Sequence, residues 1–353
     1  MPPESRSPSP ASRAPRSCPS IGDVARLAGV SAQTVSRVST GADVVRPETR
    51  KRVLDAMNTL GYSPNTAARA LRSGNFQMIG VIAHRLARTG EFRTIEAVAD
   101  AAMRESYTVT LLDIETTSST GLSAAVARLR HQAIDGLVII RAEMDTPSKL
   151  VLPPDLPVVV SDSRFLGTKP AVGTDQVAAA AAAIDHLFSL GHRTIHHLAG
   201  PSDSDPAEMR VATWRRKLAE AGHNVPPLFR GDWSAASGYR EGQRIAATKG
   251  VTAVFAANDE MAAGLMRALH EHGLDVPGDV SVVGVDGVDL AEYLWPPLTT
   301  VAQDFTMIGN ELVALLLRQI REGVSAVDEQ VKVPATLIQR SSTAPPNPAR
   351  LLR

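Results

Sequence analysis

The chain has 353 residues, of which 44% are hydrophobic, and its 37 Lys and Arg residues balance its 37 Asp and Glu residues. This composition is typical of globular proteins, and the length is sufficient for two or three domains. The single cysteine, Cys18, cannot form an intramolecular disulfide or a cysteine metal site, so the chain suits a reducing cytoplasm. The longest uncharged apolar run, Val177 to Ile184, is far shorter than the roughly 20 residues that cross a bilayer, so we expect no membrane partner.

Residues 1–20 are rich in Pro and Ser and lack the apolar block of a secretory signal, so we expect a disordered tail or an over-long start. The charge is unevenly distributed, because residues 1–74 hold eleven Lys or Arg against five Asp or Glu. The remainder is correspondingly acidic. A basic end joined to an acidic body indicates a module that binds a polyanion such as DNA, although a solvated charge run is the alternative.

The basic end begins with a short helix. Ile21, Val24, Ala25 and Ala28 follow the spacing of one apolar helix face, and Gly29 ends that helix. Val30 is expected to enter the core of the domain. Ser31 is placed to cap a second helix, in which Val35 and Val38 point inward.

This second helix presents a polar outer face. Gln33, Ser36 and Arg37 lie together on it, and Gln pairs with adenine and Arg with guanine in the major groove. Hydroxyls suit phosphate oxygens, and a methyl group suits thymine. Residues 21–62 therefore predict a helix-turn-helix DNA-binding domain, closed by a third helix from Pro47 to Leu60, with these DNA contacts: Ala32, Gln33, Thr34, Ser36 and Arg37.

From Gln77 onward, short β-rich apolar runs alternate with helical segments, which predicts parallel sheets covered by helices on both faces. About 260 such residues exceed one sheet, so residues 77–340 predict an α/β core of two similar doubly wound lobes with a ligand cleft between them. Residues 341–353 are expected to form a flexible tail. The predicted strands are Met78 to Ala83, Tyr107 to Leu112, Gly136 to Ile140, Val158 to Val160, Thr194 to Leu198, Ala253 to Ala256 and Val280 to Val285.

Several strings of residues resemble the lactose and galactose repressor family, from about Ile21 to Thr343. The strings are Asp23-Val24-Ala25, Gly29-Val30-Ser31, Thr34-Val35-Ser36-Arg37-Val38, Gly61-Tyr62-Ser63-Pro64-Asn65 and Ala68-Arg69-Ala70-Leu71. The resemblance implies that residues 63–76 form a hinge helix and linker, in which Asn65, Ala68 and Leu71 contact DNA. Leu71 matches the position of a minor-groove wedge, with packing between domains as the alternative. Thr40 and Arg46 depart from the residues usual in the family.

The resemblance also implies a core similar to periplasmic sugar-binding proteins. The family's cleft positions correspond to Asp162, Arg210, Trp233, Asn258, Asp286 and Gln303. Carboxylates, amides and a guanidinium suit sugar hydroxyls, and an indole suits the apolar face of a sugar ring. Alternatively, Asp162 and Asp286 only cap turns and Trp233 is a core residue. The segments near Gly173 to Asp175 and Gln303 to Phe305 are expected to cross between the lobes.

The ligand is less well defined than the fold. Gly-Asp-Trp-Ser around Trp233 and Gln-Asp-Phe after Gln303 favour a galactoside-type sugar, and Val285 at a frequently aromatic position disfavours a purine. Val285, Gly287 and Thr213 each depart from frequent family residues. His84, Arg85 and Arg88 follow the first core strand and leave a phosphorylated or acidic ligand open.

Enzyme motifs are absent from the sequence: it has no G-x-G-x-x-G after a strand, no P-loop and no G-x-S-x-G elbow. His196 and His197 point to opposite faces of a predicted strand, so no metal and no cofactor is expected. We expect a cytoplasmic bacterial repressor that binds a palindromic operator as a homodimer and is released by a sugar. The alternatives are a ligand that acts as co-repressor, a purine or sugar phosphate as ligand, and a sugar-processing enzyme with an appended DNA-binding domain.

Overall fold

The protein is described by a computed structural model over residues 19–39, 44–63, 75–83, 86, 88–113, 119–130, 134–140, 155–161, 170–324 and 329–348. The chain divides into two compact units, residues 1–76 and 77–353. The expected hinge helix, with Asn65, Ala68 and Leu71, lies outside the described residues, as do Thr40 and Asp162.

The first unit contains the three predicted helices, α1 (Ile21–Ala28), α2 (Ala32–Ser39) and α3 (Pro47–Leu60). Their apolar faces enclose a small core, which confirms the helical spacing. The buried members are Val24, Ala25, Ala28, Val35, Val38, Val53, Ala56 and Met57.

Local hydrogen bonds set the ends of these helices. The Ser20 hydroxyl accepts from the Asp23 backbone N–H and the Asp23 carboxylate accepts from the Ser20 N–H, which forms a capping box at the start of α1. Gly29 ends α1 with a φ of 64°, a left-handed backbone that glycine adopts without strain. Ser31 accepts from the Thr34 N–H as predicted. Arg46 provides no side-chain cap for α3.

The second unit is built from strands that alternate with helices. The strands are β1 (Met78–Ala83), β2 (Thr108–Asp113), β3 (Gly136–Ile140), β4 (Val158–Ser161), β5 (Ala171–Thr174), β6 (His196–Ala199), β7 (Phe229–Arg230), β8 (Ala253–Ala256), β9 (Ser281–Asp286), β10 (Thr299–Gln303), β11 (Gln330–Val333) and β12 (Ala335–Ile338). The α-helices are α4 (Thr89–Arg104), α5 (Ser119–Arg130), α6 (Gln176–Ser189), α7 (Asp205–Glu220), α8 (Ala235–Ala246), α9 (Asp259–Glu271) and α10 (Phe305–Glu322). Asp289–Tyr293 forms a 3₁₀ turn.

The strands form two six-stranded sheets, which we call the first and the second lobe. The first has the order β11-β5-β4-β3-β1-β2 and the second β12-β10-β9-β8-β6-β7. Both are parallel as predicted, except that β12 pairs antiparallel with β10 at the edge of the second sheet.

Each sheet has an apolar cluster on both faces. In β1, Ile79 and Val81 pack into one cluster with α4 and α10, while Ile82 packs into the other with Leu129 of α5. The second sheet is likewise enclosed by two clusters, one around Leu265 and one around Trp214. Burial on both faces explains why these strands are continuous apolar runs rather than alternating ones.

The described chain passes between the lobes at the two predicted places and at a third that the sequence did not predict. It leaves the first sheet after β5, returns after β10 through α10, which packs on α4, and crosses again at Pro334 between β11 and β12. The carboxyl ends of the strands therefore face a common interlobe space.

The predicted flexible tail from Ser341 is wrong for its first residues. Ser342 is fully buried, donates to the Val282 carbonyl at 2.6 Å and accepts from the Thr299 N–H at 2.8 Å. His192 and Ser281 also contact the Ala344 carbonyl, each at 2.9 Å. The segment remains ordered because these bonds satisfy buried polar groups of the second sheet.

Among the described residues, none of the helices combines the length and apolarity needed to traverse a bilayer.

Candidate functional site

The candidate DNA-reading face lies on α2. Ala32, Gln33 and Arg37 are exposed, while Thr34 and Ser36 are half-buried beside the core residues Val35 and Val38. The Thr34 hydroxyl lies 3.0 Å from the Ser31 hydroxyl, so it belongs to the cap of α2 and retains only part of its capacity for a phosphate. The geometry leaves a Gln and an Arg one helical turn apart on an open surface.

The candidate ligand site is a cavity of about 640 Å³ between the two lobes. Its lining combines the start of α4 from the first lobe with strand ends from the second. The lining residues are Leu86, Arg88, Thr89, Gly90, Glu91, Asp113, Arg210, Asp232, Trp233, Ser234, Asn258, Glu260 and Asp286. Four of the six predicted effector residues are among them, Asp162 is outside the described residues, and Gln303 lies directly behind Asp286.

Arg210 belongs to a ring of four polar side chains in the second lobe, each in contact with the next. Its side chain is buried, its Nε donates to Gln176 Oε1 at 2.9 Å, and its Nη1 donates to the Ala257 carbonyl. Gln176 in turn donates to Gln303 Oε1 at 3.3 Å, and Gln303 donates to Asp286 Oδ1 at 2.5 Å. Arg210 Nη2 lies 4.0 Å from the same Asp286 oxygen, which closes the ring.

Asp286 is held in an unusual backbone conformation. Its φ of 110° and the φ of 70° at Gly287 both lie in the left-handed region, which costs a non-glycine residue on the order of 1–3 kcal/mol. A side chain at Gly287 would have its Cβ 2.5 Å from Ala302 Cβ, so the turn requires glycine. Strain of this kind concentrates at ligand sites, where the surrounding structure compensates for it.

Trp233 also has a left-handed backbone, with a φ of 76°. Its indole lies against Gly200, where an added Cβ would be 2.4 Å from the ring, and the Arg210 guanidinium lies 5.7 Å above the ring centroid. The indole Nε1 is buried and makes no hydrogen bond within the described part of the chain. The side chain is both packed and in the cavity wall, so the two interpretations of Trp233 are not exclusive.

Asn258 differs from the sequence expectation of a hydroxyl-binding amide. Its Oδ1 caps α9 by accepting from the Met261 N–H at 3.0 Å, and its Nδ2 donates to the Trp233 carbonyl at 2.9 Å and to Glu260 at 2.7 Å. Both amide protons are therefore used within the protein. Asn258 therefore holds the Trp233 backbone and the Glu260 side chain in position.

Sequence reasoning did not select several lining residues. Asp113 ends β2, Asp232 and Ser234 flank Trp233, and Glu260 follows Asn258. Their position after a strand or at a helix start is the signal that could have identified them. Among the described residues, two hydrogen bonds join the lobes at the cavity: the Thr89 hydroxyl donates to Glu260, and Arg93 Nη1 donates to the Gly287 carbonyl at 3.3 Å.

Asp259 lies behind the cavity and supports the β9 turn. It accepts from the Thr300 hydroxyl at 2.6 Å and from the Val288 N–H at 2.9 Å. Burial, followed by the nearby charge of Asp286, raises the pKa of Asp259 to about 8. At the rim of the cavity, the hydrogen bond that the Ser234 hydroxyl donates to Asp232 lowers the pKa of that carboxyl group.

Among the described residues, no group of three or more His, Cys, Asp or Glu side chains is arranged to hold a metal ion.

A three-helix reading domain joined to a two-lobed α/β body with an interlobe cavity defines a class, the DNA-binding regulators with a ligand-binding core. Residues 20–65 match the bacterial regulatory proteins of the lacI family, and residues 184–343 match the periplasmic binding protein-like domain. The chain belongs to the LacI family and is a DNA-binding repressor of that family.

Relatives of known function and solved structures of this family are similar to the chain over most of its length. The chain is 35% identical to the lactose operon repressor of Escherichia coli (strain K12), over 92% of this chain and 91% of that one. It is 31% identical to the PurR repressor of Vibrio campbellii, over 86% and 92%. The structure of the Lac repressor dimer bound to operator and the anti-inducer ONPF has a TM-score of 0.81 at 32% identity, covering 92% of this chain and 99% of that one. A complex of the regulator CelR with cellobiose has a TM-score of 0.68 at 28% identity, covering 92% and 99%.

Proposed function

We propose that this repressor binds a palindromic operator as a homodimer in the bacterial cytoplasm, and that a galactoside-type sugar in the interlobe cavity lowers its operator affinity. The observation that carries the proposal is the ring of Arg210, Gln176, Gln303 and Asp286 beside Trp233. A fixed carboxylate and guanidinium suit sugar hydroxyls, and an indole suits the apolar ring face. Of the curated relatives, the lactose operon repressor of Escherichia coli shares 35% identity.

The charge of the cavity disfavours an anionic ligand. Among the described residues, five carboxylates line it, from Glu91, Asp113, Asp232, Glu260 and Asp286, against the guanidiniums of Arg88 and Arg210. His84 and Arg85 lie outside the described residues. A sugar phosphate would meet a net negative wall, which costs free energy in a partly desolvated site. The raised pKa of Asp259 is a consequence of the same burial and negative field. A neutral polyol avoids this repulsion.

A purine is disfavoured for a different reason. Trp233 is the one aromatic side chain among the described lining residues, and a flat base is held best between two stacking partners. The similarity to PurR from Vibrio campbellii therefore supports the shared fold more than a shared ligand.

Regulation rather than catalysis is the function proposed. A glycoside hydrolase needs an acid and a second carboxylate placed on either side of a scissile bond, with pKa values set apart for their roles. The carboxylate with a pKa raised to about 8, Asp259, is directed at Thr300 and Val288 behind the cavity wall. Asp286 accepts a hydrogen bond from Gln303, which fixes its carboxylate in place, as a ligand-binding group requires.

The test is operator release by the purified full-length protein. Binding to a labelled operator fragment is measured with galactosides, with a purine base and with a sugar phosphate, in parallel with thermal shifts of the protein, which report ligand binding to the native state. We expect galactosides to raise the melting temperature and weaken operator binding. Tighter operator binding with the same ligand would assign it as a co-repressor. A response only to the purine or the sugar phosphate would refute the ligand class.

A further inference from the structure

Two of the proposed ligand-binding residues are held from the same place in the second lobe. Trp233 and Asp286 both have left-handed backbones, with φ values of 76° and 110°. The Trp233 carbonyl accepts from Asn258, and the Val288 N–H, two residues beyond Asp286, donates to Asp259 Oδ2 at 2.9 Å. Asn258 caps α9 and Asp259 is the first residue of that helix, so the start of α9 supports both strained positions.

Asp259 fits a closed niche between α9 and the second sheet. The residue is 1% exposed, and its Oδ1 accepts from the Thr300 hydroxyl on β10 at 2.6 Å. A Cβ atom at Gly284 of β9 would collide with the same oxygen, so the carboxyl group occupies space that a glycine leaves open. Asp259 is therefore fixed in one position, from which it supports the backbone that carries Asp286.

The charged groups that act most on Asp259 are carboxylates. Asp286 on β9 and Glu260 on α9 both present negative charge to it, and β10 faces it with the uncharged Thr300. The Arg210 guanidinium lies 4.0 Å from Asp286. Burial, followed by the charge of Asp286, raises the pKa of Asp259 to about 8, although the start of a helix ordinarily favours a charged aspartate. Near pH 7, Asp259 is therefore a neutral acid behind the cavity wall.

Loss of that proton would change the ligand site. Asp259 and Asp286 would then both be charged on either side of the β9 turn, and like charges repel strongly where water is excluded. A sugar in the cavity increases the repulsion, because its hydroxyls replace the hydrogen bonds of water to Asp286 but not the screening by bulk water. The sugar-bound state therefore favours the protonated form more than the free state does, and by reciprocity the sugar binds less tightly when Asp259 ionises.

We propose that Asp259 is a positioning residue whose proton controls the sugar affinity of the repressor: the neutral acid holds the Asp286 turn in its binding geometry, and the ionised form weakens binding. The inference rests on the proposed function and deepens it, since it adds a pH sensitivity to the same site. Asp259 acts through Asp286, because its own two oxygens are bonded to Thr300 and Val288 behind the cavity wall. Sugar affinity is expected to be full below about pH 7 and to decline as the pH rises through about 8.

The test follows the binding of methyl β-galactoside to the full-length protein by titration calorimetry from about pH 6.5 to about pH 9. We expect the affinity to fall about threefold or more over this range. At about pH 8, titrations in two buffers of different ionisation enthalpy count the protons exchanged, and we expect the complex to take up part of a proton. A pH-independent affinity without proton uptake would overturn the inference and leave the proposed sugar response standing. If methyl β-galactoside binds at none of these pH values, the proposed function and the inference both fail.

Variants assign the proton to Asp259. Asp259→Asn keeps an acceptor for the Val288 N–H and carries no charge. It should bind the sugar within about twofold of the wild type at about pH 6.5, with no pH dependence and no proton uptake. Asp259→Ala removes the support of the turn and should weaken sugar binding about tenfold or more at every pH, while operator affinity without sugar is retained.

Ser342→Ala is the matched control, because it destabilises the same two strands, β9 and β10, through lost bonds to Val282 and Thr299 near their amino ends. It should keep the wild-type sugar affinity and its pH dependence. A pH dependence that persists in Asp259→Asn would assign the proton to another group. An equal loss of sugar affinity in Asp259→Ala and Ser342→Ala would show a merely structural role. Either result refutes the inference.

Discussion

Gln33 and Arg37 are exposed side chains on α2, and their proposed role is to contact base edges. We predict that Gln33→Ala or Arg37→Ala reduces affinity for the best operator by about 1 to 3 kcal/mol and relaxes the preference at individual base pairs. Binding to a library of operator variants measures both effects. Lys51→Ala, which removes an exposed ion pair with Asp55 on α3, is the control and should leave the order of preference unchanged. Unaltered sequence preference in both α2 variants would refute the assignment.

Asp286 combines a strained backbone with a position in the polar ring. We predict that Asp286→Asn weakens sugar binding by roughly 1.5 to 3 kcal/mol, since a hydroxyl loses a charged acceptor, and that operator affinity without ligand is retained. Calorimetry and operator release by the sugar measure the two properties separately. Asp289→Asn, exposed in the neighbouring 3₁₀ turn, serves as the control. Normal release by Asp286→Asn at the wild-type sugar concentration would remove this carboxylate from the site.

At the scale of elements, the segment that follows β12 is part of the second lobe. We predict that Ser342→Ala lowers the free energy of unfolding by about 1 to 3 kcal/mol, because the Thr299 N–H and the Val282 carbonyl lose a buried partner. Chemical denaturation measures the change. Ser341→Ala, at an exposed neighbour bonded through its backbone, should be nearly neutral. Equal stability of the two variants would show that the segment is not needed by the sheet.

At the scale of the whole molecule, buried titratable groups set the response to pH. Burial lowers the pKa of His196 to about 4 and that of His197 to about 3, and it also lowers the pKa values of His186 and His192. These histidines take up protons on unfolding below about pH 6.5, so the stability they contribute is lost as the pH falls. Asp259 acts in the opposite sense, because its raised pKa makes the unfolded chain release a proton between about pH 4 and 8.

We therefore predict maximal stability close to pH 6.5, with a steep loss on the acid side and a shallower loss towards pH 8. Denaturation curves between pH 4 and 9 measure the profile. Asp259→Asn should remove the decline above pH 6.5, since an amide does not titrate and Thr300 and Val288 keep a partner. A decline that persists in this variant would show that another group causes it.

The proposed homodimer needs a surface that a second copy covers. Leu290, Tyr293 and Trp295 are 62%, 78% and 95% exposed within six residues around the 3₁₀ turn, and neighbouring exposed apolar side chains favour an interaction surface. We predict that Trp295→Ser shifts sedimentation from dimer to monomer and weakens binding to a palindromic operator, because each half-site then binds independently. Val225→Ser, at another exposed apolar position, is the control. A Trp295→Ser protein that sediments like the wild type would place the interface elsewhere.

The sequence by itself determined the three helices of the first unit and the alternation of strands and helices in the second. These features depend on local periodicity, on caps such as Ser31 and on turn glycines such as Gly29, all of which act within a few residues. The sequence missed several core strands, such as β5, β7 and β12. These strands are short and lie at or next to a sheet edge, so they contain too few buried residues to produce a recognisable apolar pattern. The resemblance to one family supplied the positions of Arg210, Trp233 and Asp286.

Only the tertiary structure decided how these side chains are used. Arg210 meets Gln176 across 34 positions of sequence and Asn258 meets the Trp233 carbonyl across 25, so neither bond leaves a local signal. The same applies to Asp259, whose pKa depends on burial and on Asp286. It applies also to Ser342, which lies beside a proline-rich segment and donates a hydrogen bond to Val282 of the second sheet. Hydrogen bonding, desolvation and charge proximity are properties of the folded surroundings of a residue, and the sequence alone does not specify which distant groups provide them.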